Sequence, residues 1–236
     1  MEKYLYLILN ILTISYPLIR SFEHRVQYAK KWYALFPAII ITGFFFLVWD
    51  HWFTIIGVWE FNPRYLIGIY IFELPLEEWL FFLTVPFACI FIYEVLNYFV
   101  KKDILSGFAK PFTLVLIPFF FLIGIMNLDK WYTSVNFLVG SATLSIHYIL
   151  FQTKYLGRFY LAYFVSLIPF LFVNGILTGS FIDEPVVIYN NLENLSIRIL
   201  TIPIEDTVYS MTLLLMNLSI YERIKNNKTI QTVKSL

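Results

Sequence analysis

At 236 residues the chain has the length of one or two soluble domains, yet 59% of it is hydrophobic, 20% aromatic and only 14% charged, with a mean hydropathy of +0.72. A soluble enzyme so composed would expose more apolar surface than water tolerates, so the composition indicates a polytopic integral membrane protein. The single Cys89 excludes an internal disulfide framework and a cysteine metal cage, and a net charge of +1 gives no support to nucleic-acid binding.

A helix needs roughly 20 apolar residues to cross the hydrocarbon. Such runs lie near 3–21, 33–52, 77–99, 111–128, 132–151, 158–178 and 204–222. The first lacks a basic leader and a small-residue cleavage site and carries Tyr16 and Pro17, so it reads as a span rather than a signal peptide. The shorter run Tyr65 to Phe72 reads as interfacial or re-entrant. Seven spans put 13 of the 17 basic residues on one side, among them Arg20, Arg25, Lys30, Lys31, Lys101, Lys154, Arg158, Arg223, Lys225, Lys228 and Lys234. Short basic loops stay in the cytoplasm, which predicts the N-terminus outside and the C-terminus inside. Twelve of the 16 acids fall on the opposite, outer side.

The chain repeats itself. Pro75-Leu76-Glu77-Glu78 returns as Pro203-Ile204-Glu205-Asp206, an offset of 128 that also relates Asn62 to Asn190, Phe81 to Tyr209 and Tyr93-Glu94 to Tyr221-Glu222. The offset lays the first three spans on the last three and leaves 111–128 between them. One extra crossing restores the orientation of the second copy, giving parallel repeats. The expected fold is an all-α integral membrane protein of seven transmembrane helices arranged 3+1+3. Its units are residues 1–100, a linking helix within 101–130, and 131–236.

Each acidic pair follows a proline at a helix start. Proline suits the first turn, and acids there complement the helix dipole, so capping alone would account for the pattern. The alternative is that the two motifs meet across the pseudo-two-fold axis and form one acidic site. Adjacent helix positions point about 100° apart, so each pair would supply one inward acid and one supporting group. Glu73 and Glu77 are not paired, because Pro75 interrupts any helix between them. Phe81 and Tyr209, one turn after Glu77 and Glu205, could shelter a carbocation with their ring faces. Asn174 and Thr178 are further polar candidates, and Trp79 joins Phe81, Tyr209 and Asn174 as a substrate-binding candidate. Asp50 and His51 beside Trp49 and Trp52 read as an interfacial belt, His147 as a packing residue, and Tyr93-Glu94 and Tyr221-Glu222 as interfacial anchors.

Flavin, nicotinamide and nucleotide fingerprints are absent, so no cofactor is expected. The seventh span holds no lysine for a retinal Schiff base, and no D-x-x-x-D pair is present to hold magnesium and diphosphate. Glu77-Glu78 lacks the arginine of the E-E-x-x-x-R protease motif, since position 82 is Phe82.

Duplicated P-x-E-E and P-x-E-D motifs on a seven-span chain resemble the membrane lycopene cyclases of the heterodimeric or fused type. In that family the halves can be two small proteins or one chain, and fungal relatives are joined to phytoene synthase. The resemblance implies that Pro75, Glu77, Glu78, Pro203, Glu205 and Asp206 are the family's motif residues, with unequal roles because the second copy ends in Asp. It also implies a non-redox, acid-catalysed closure of the linear ends of lycopene to β-ionone rings, an intramolecular lyase or isomerase reaction. Glu77 and Glu205 are then the principal acid and base candidates, tuned by Glu78 and Asp206. The expected partners are the lipid bilayer and a membrane-embedded polyene; oligomerisation and association with other carotenoid enzymes stay open. Two alternatives remain from the residues alone: a carotenoid or isoprenoid hydratase, and a non-enzymatic proton-coupled carrier.

Overall fold

A computed structural model describes residues 2–234, with side chains described through 227. Lys228 and Lys234 of the basic tail therefore lie outside the described side chains. Seven α-helices run in chain order: α1 Leu5–Arg20, α2 Trp32–Ile55, α3 Leu76–Phe99, α4 Ser106–Met126, α5 Trp131–Phe151, α6 Leu156–Leu177 and α7 Ile204–Lys234. Exposed apolar side chains such as Ile40, Phe44, Val115, Ile149 and Phe172 cover the outside of the bundle, as lipid contact demands.

Among the described residues, five segments are long and apolar enough to cross a membrane: α2 with its preceding turn (Tyr28–Ile55), α3, α4, α5 and α6. The two that fall short do so for different reasons. Helix α1 has 16 residues, a rise of about 24 Å. Helix α7 is long, but it runs through the middle of the protein and buries polar groups such as Thr212, Asn217 and Glu222. A helix shielded by its neighbours need not be apolar on every side.

The fold is not purely helical. Three two-stranded antiparallel ribbons join the helix ends: β1 Trp59–Phe61 with β4 Val187–Tyr189, β2 Tyr70–Ile71 with β3 Leu74–Pro75, and β5 Arg198–Ile199 with β6 Ile202–Pro203. Strands of two or three residues are too short to show alternation, so no hydrophobic pattern marks them. The run from Tyr65 to Phe72 becomes part of the β2–β3 hairpin, whose tip residues Phe72 and Glu73 both take left-handed backbone angles.

The β1–β4 ribbon records the duplication. Trp59 pairs with Tyr189, Glu60 with Ile188 and Phe61 with Val187, so each strand meets its own repeat copy in reverse. Flanking bonds are reciprocal as well: Asn62 N donates to Val186 O at 2.8 Å, and Asn190 N to Val58 O at 2.9 Å. A surface that pairs with its own copy in this way has two-fold symmetry. The helices interlock around the same axis, for α2 packs mainly on α7 and α6 mainly on α3. Neither half is complete without the other.

At the far end of the bundle the symmetry recurs. Tyr93 donates its phenol to Glu222 at 3.1 Å and Tyr221 to Glu94 at 2.6 Å, while Lys225 bridges both carboxylates and Lys31 reaches Glu94. All four tyrosine and glutamate residues are buried, so these pairs join α3 to α7 and are not interfacial anchors. His147 is a packing residue, its Nδ1 at 2.7 Å from Ser219 Oγ.

Candidate active site

Both proline motifs close a hairpin and start a helix. Pro75 pairs with Tyr70 and Pro203 with Arg198; Leu76 N then donates to Ile69 O at 2.8 Å, and Ile204 N to Ile197 O at 2.9 Å. The next residue in each copy turns its carboxyl toward the preceding loop. Glu77 Oε1 accepts from Ile67 N, and Glu205 Oε1 from Leu195 N, both at 2.7 Å; Thr133 Oγ1 adds a second donor to Glu205 at 2.7 Å. The backbone carbonyls of the same residues take the amides of Asn10 (3.0 Å) and Asn136 (2.6 Å). These two glutamates are the most deeply buried of the motif acids, and they fasten loop to helix.

The second acid of each copy points the other way. Glu78 and Asp206 line one small cavity of about 70 Å³, together with Asp50. Sequence reasoning expected one inward acid per pair and assigned that place to Glu77 and Glu205; the inward members are Glu78 and Asp206. The phase of the helix is set by the loop amides that capture its neighbour.

The partners of the three carboxyls differ. Glu78 Oε2 accepts from the Tyr6 phenol at 2.6 Å, and Asp50, which lines the same cavity, accepts from Tyr209 at 2.6 Å. Asp206 instead receives three donors: Tyr132, Asn174 at 2.6 Å and Tyr189 at 3.0 Å. Burial first, and then the Asp206 charge beside it, hold the Tyr189 phenol well above its ordinary pKa, so it remains a donor.

Of the other expected residues, Phe81, Tyr209 and Asn174 line this cavity. Trp79 does not; its indole donates to Ile71 O at 3.2 Å and its ring lies against Phe72 on the β2–β3 hairpin. Thr178 turns aside to Thr201 Oγ1 at 2.7 Å. Asp50, read from sequence as part of an interfacial belt, is buried at 3% exposure in the centre of the site. Tyr6, Tyr132 and Tyr189 were also missed. A signal for two of them existed, since Tyr6…Asn10 returns as Tyr132…Asn136, but at an offset of 126.

The family model described as lycopene cyclase matches residues 3–96 and 129–224, a repeated region on either side of α4. The chain belongs to the lycopene cyclase family. The two matched stretches contain Glu78 and Asp206, one in each, and both acids open into the same cavity. Membership makes the protein a multi-pass member of a carotenoid-cyclising enzyme family with an internal repeat. Neither the comparison with curated proteins nor that with solved structures finds a match.

Proposed function

We propose that the chain is a lycopene cyclase that closes the linear ends of lycopene to β-ionone rings by proton transfer alone. The observation that carries this reading is the meeting of Glu78 and Asp206, one from each repeat, in a single small cavity shared with Asp50. Glu78, which has one phenol donor and shares the cavity with the Asp50 carboxyl, acts in its protonated form as the general acid. It protonates the terminal double bond, leaving a tertiary cation. The neighbouring double bond attacks that cation, a carbon–carbon bond closes the six-membered ring, and the charge moves into the ring. Asp206, held by three donors as an acceptor, takes the adjacent ring proton, and the β double bond forms. No electrons leave or enter the substrate. Each turnover carries one proton from Glu78 to Asp206, and return of that proton resets the site. The rings of Phe81 and Tyr209 border the path of the cation, where aromatic faces are attractive to positive charge.

The same reading places seven spans in a parallel 3+1+3 arrangement, with the acid site toward the outer face and the N-terminus outside. The supporting observations are the two-fold β1–β4 ribbon and the concentration of basic residues at the other end. Cysteines introduced into 53–76 or 179–203 in a Cys89→Ser background should react with an impermeant thiol reagent on intact cells. Reaction at position 30 instead would invert the orientation.

The function is tested by expression in lycopene-producing bacteria with chromatography of the pigments. Cyclic carotenes are expected; unchanged lycopene or hydroxylated acyclic products alongside folded membrane protein would reject the proposal.

A further inference from the structure

The acid cavity is not isolated. A second, much larger cavity of about 470 Å³ lies between α1, α3, α6 and α7, and the two share Phe81, Val85, Phe170, Asn174, Ser210 and Leu213. Along α3 it extends from Phe81 to Ile92, a rise of about 17 Å. Its lining is overwhelmingly apolar, and Leu12 and Tyr16 of α1 and Phe172 of α6 stand exposed at its edge, on the lipid-facing surface.

The repeat predicts a second such groove between α5 and α2, and that place is filled. Phe46 stands where the other half has Asn174; it is fully buried, stacked on Trp49 at 5.5 Å and edge-on to Tyr209 at 4.9 Å. Leu138, the counterpart of Leu12, lies under α4, so close that a Cβ on Gly124 would come within 2.6 Å of it. The linking helix therefore covers on α5 the surface that α1 leaves open.

We propose that the open groove between α1 and α6 is the binding channel for the polyene tail, taken up sideways from the bilayer. The chain lies along α3, with one end in the acid cavity and the rest reaching toward the opposite face of the membrane. It follows that one substrate end is handled at a time, from one side of the protein only. This rests on the cyclase reading, and its occupant is a long acyclic isoprenoid hydrocarbon, the ligand chemistry that an apolar, lipid-open channel ending in carboxyls would take.

The test fills the channel away from the acids. Ala88 lines the groove but not the acid cavity, and Met216 is its repeat counterpart on the closed side. Ring formation is measured in isolated membranes, normalised to folded protein, with lycopene and with a shorter acyclic polyene carrying the same end group. Ala88→Trp is expected to lower turnover of lycopene about tenfold or more, chiefly by raising apparent KM, while largely sparing the shorter substrate. Met216→Trp should change neither. Equal losses on long and short substrates, or no loss on either, would overturn the channel while the wild type still cyclises. Absence of rings from the wild type would instead overturn the cyclase reading itself.

Discussion

In the first half Phe46, Asp50, Phe61 and Phe81 stand where the second half has Asn174, Thr178, Tyr189 and Tyr209. Elsewhere the halves agree to the level of single bonds: Tyr6 and Tyr132 on the second motif acids, Asn10 and Asn136 on the first motif carbonyls, and loop amides on Glu77 and Glu205. Duplication thus supplied one scaffold twice, and at the cavity the two copies have diverged. The exchanges have a common direction. They surround Asp206 with donors and leave Glu78 beside another carboxyl, the asymmetry on which the proposed division of proton roles rests. A symmetric site would have offered two donors or two acceptors, and cyclisation needs one of each.

The largest expected effect separates the inward from the outward acids. Glu78→Gln and Asp206→Asn keep size and can still form hydrogen bonds, but neither can carry the proton; each is expected to lower ring formation by about 10²–10⁴-fold with protein still in the membrane. Glu77→Gln and Glu205→Gln retain an oxygen for the Ile67 and Leu195 amides and should keep most activity. Glu77→Ala and Glu205→Ala orphan those amides and should cost about 1–3 kcal/mol each, seen as lower melting temperature in detergent. If the glutamine variants at 77 and 205 lose ring formation while those at 78 and 206 keep it, the assignment is reversed.

Asp50 against Thr178 sharpens the contrast between halves. Asp50→Asn removes the carboxyl beside Glu78 and the charge that strengthens the Tyr209 bond; a loss of about 1.5–3 kcal/mol would lower ring formation roughly ten- to hundredfold. Thr178→Val at the matching position should leave the rate unchanged, because its hydroxyl faces Thr201. Rates normalised to protein content check both; equal effects would mean that the third carboxyl has no special role.

How far the sequence could lead is visible in the same residues. Helix positions and the duplicated proline motifs were readable because hydrophobic runs and short identities are local. The inward member of each acid pair was not, since a 100° turn separates neighbours and the choice is made by amides ten residues upstream. Asp50 was hidden by its flanking tryptophans and by distance, for its partner Tyr209 lies 159 residues away on a helix of the other repeat. The tyrosines that match across α1 and α5 do so at 126, two short of the main offset, so a search at one spacing passes over them.

At the far end of the bundle the halves share a lock rather than a site, and effects there should fall on stability. Lys225 joins Glu94 and Glu222, and its partner-removing variant Lys225→Met leaves two buried carboxylates with Lys31 alone at Glu94; a loss of about 3 kcal/mol is expected. Tyr93→Phe and Tyr221→Phe each remove one phenol bond and should cost about 1 kcal/mol. Because the two bonds are reciprocal, similar costs are expected, and a large difference between them would break the symmetry inferred for this end. Thermal melting in one detergent, with ring formation per folded molecule unchanged, checks all three.

The smallest effect belongs to Arg64, whose counterpart is Leu192. Arg64 reaches Glu2 at 2.7 Å, Asp183 at 3.0 Å and Glu184 at 3.7 Å, tying the start of α1 to the loop that leads into β4. These groups are exposed, so water and salt screen them. The hydrogen bond from Arg64, and then its charge, lower the Glu2 carboxyl below its ordinary value. A depressed folded value gives stability that is present above the unfolded carboxylate pKa, near 4.3, and is lost as pH falls through the folded value. Arg64→Leu should therefore lower the melting temperature slightly at neutral pH, by less than Lys225→Met, and the gap from wild type should close on acidification. It should also close at about 1 M salt, where the screening length is about 3 Å. A gap that persists in both conditions would mean that Arg64 holds the first half by packing on Tyr65, over whose ring its guanidinium sits at 5.4 Å, and not by charge.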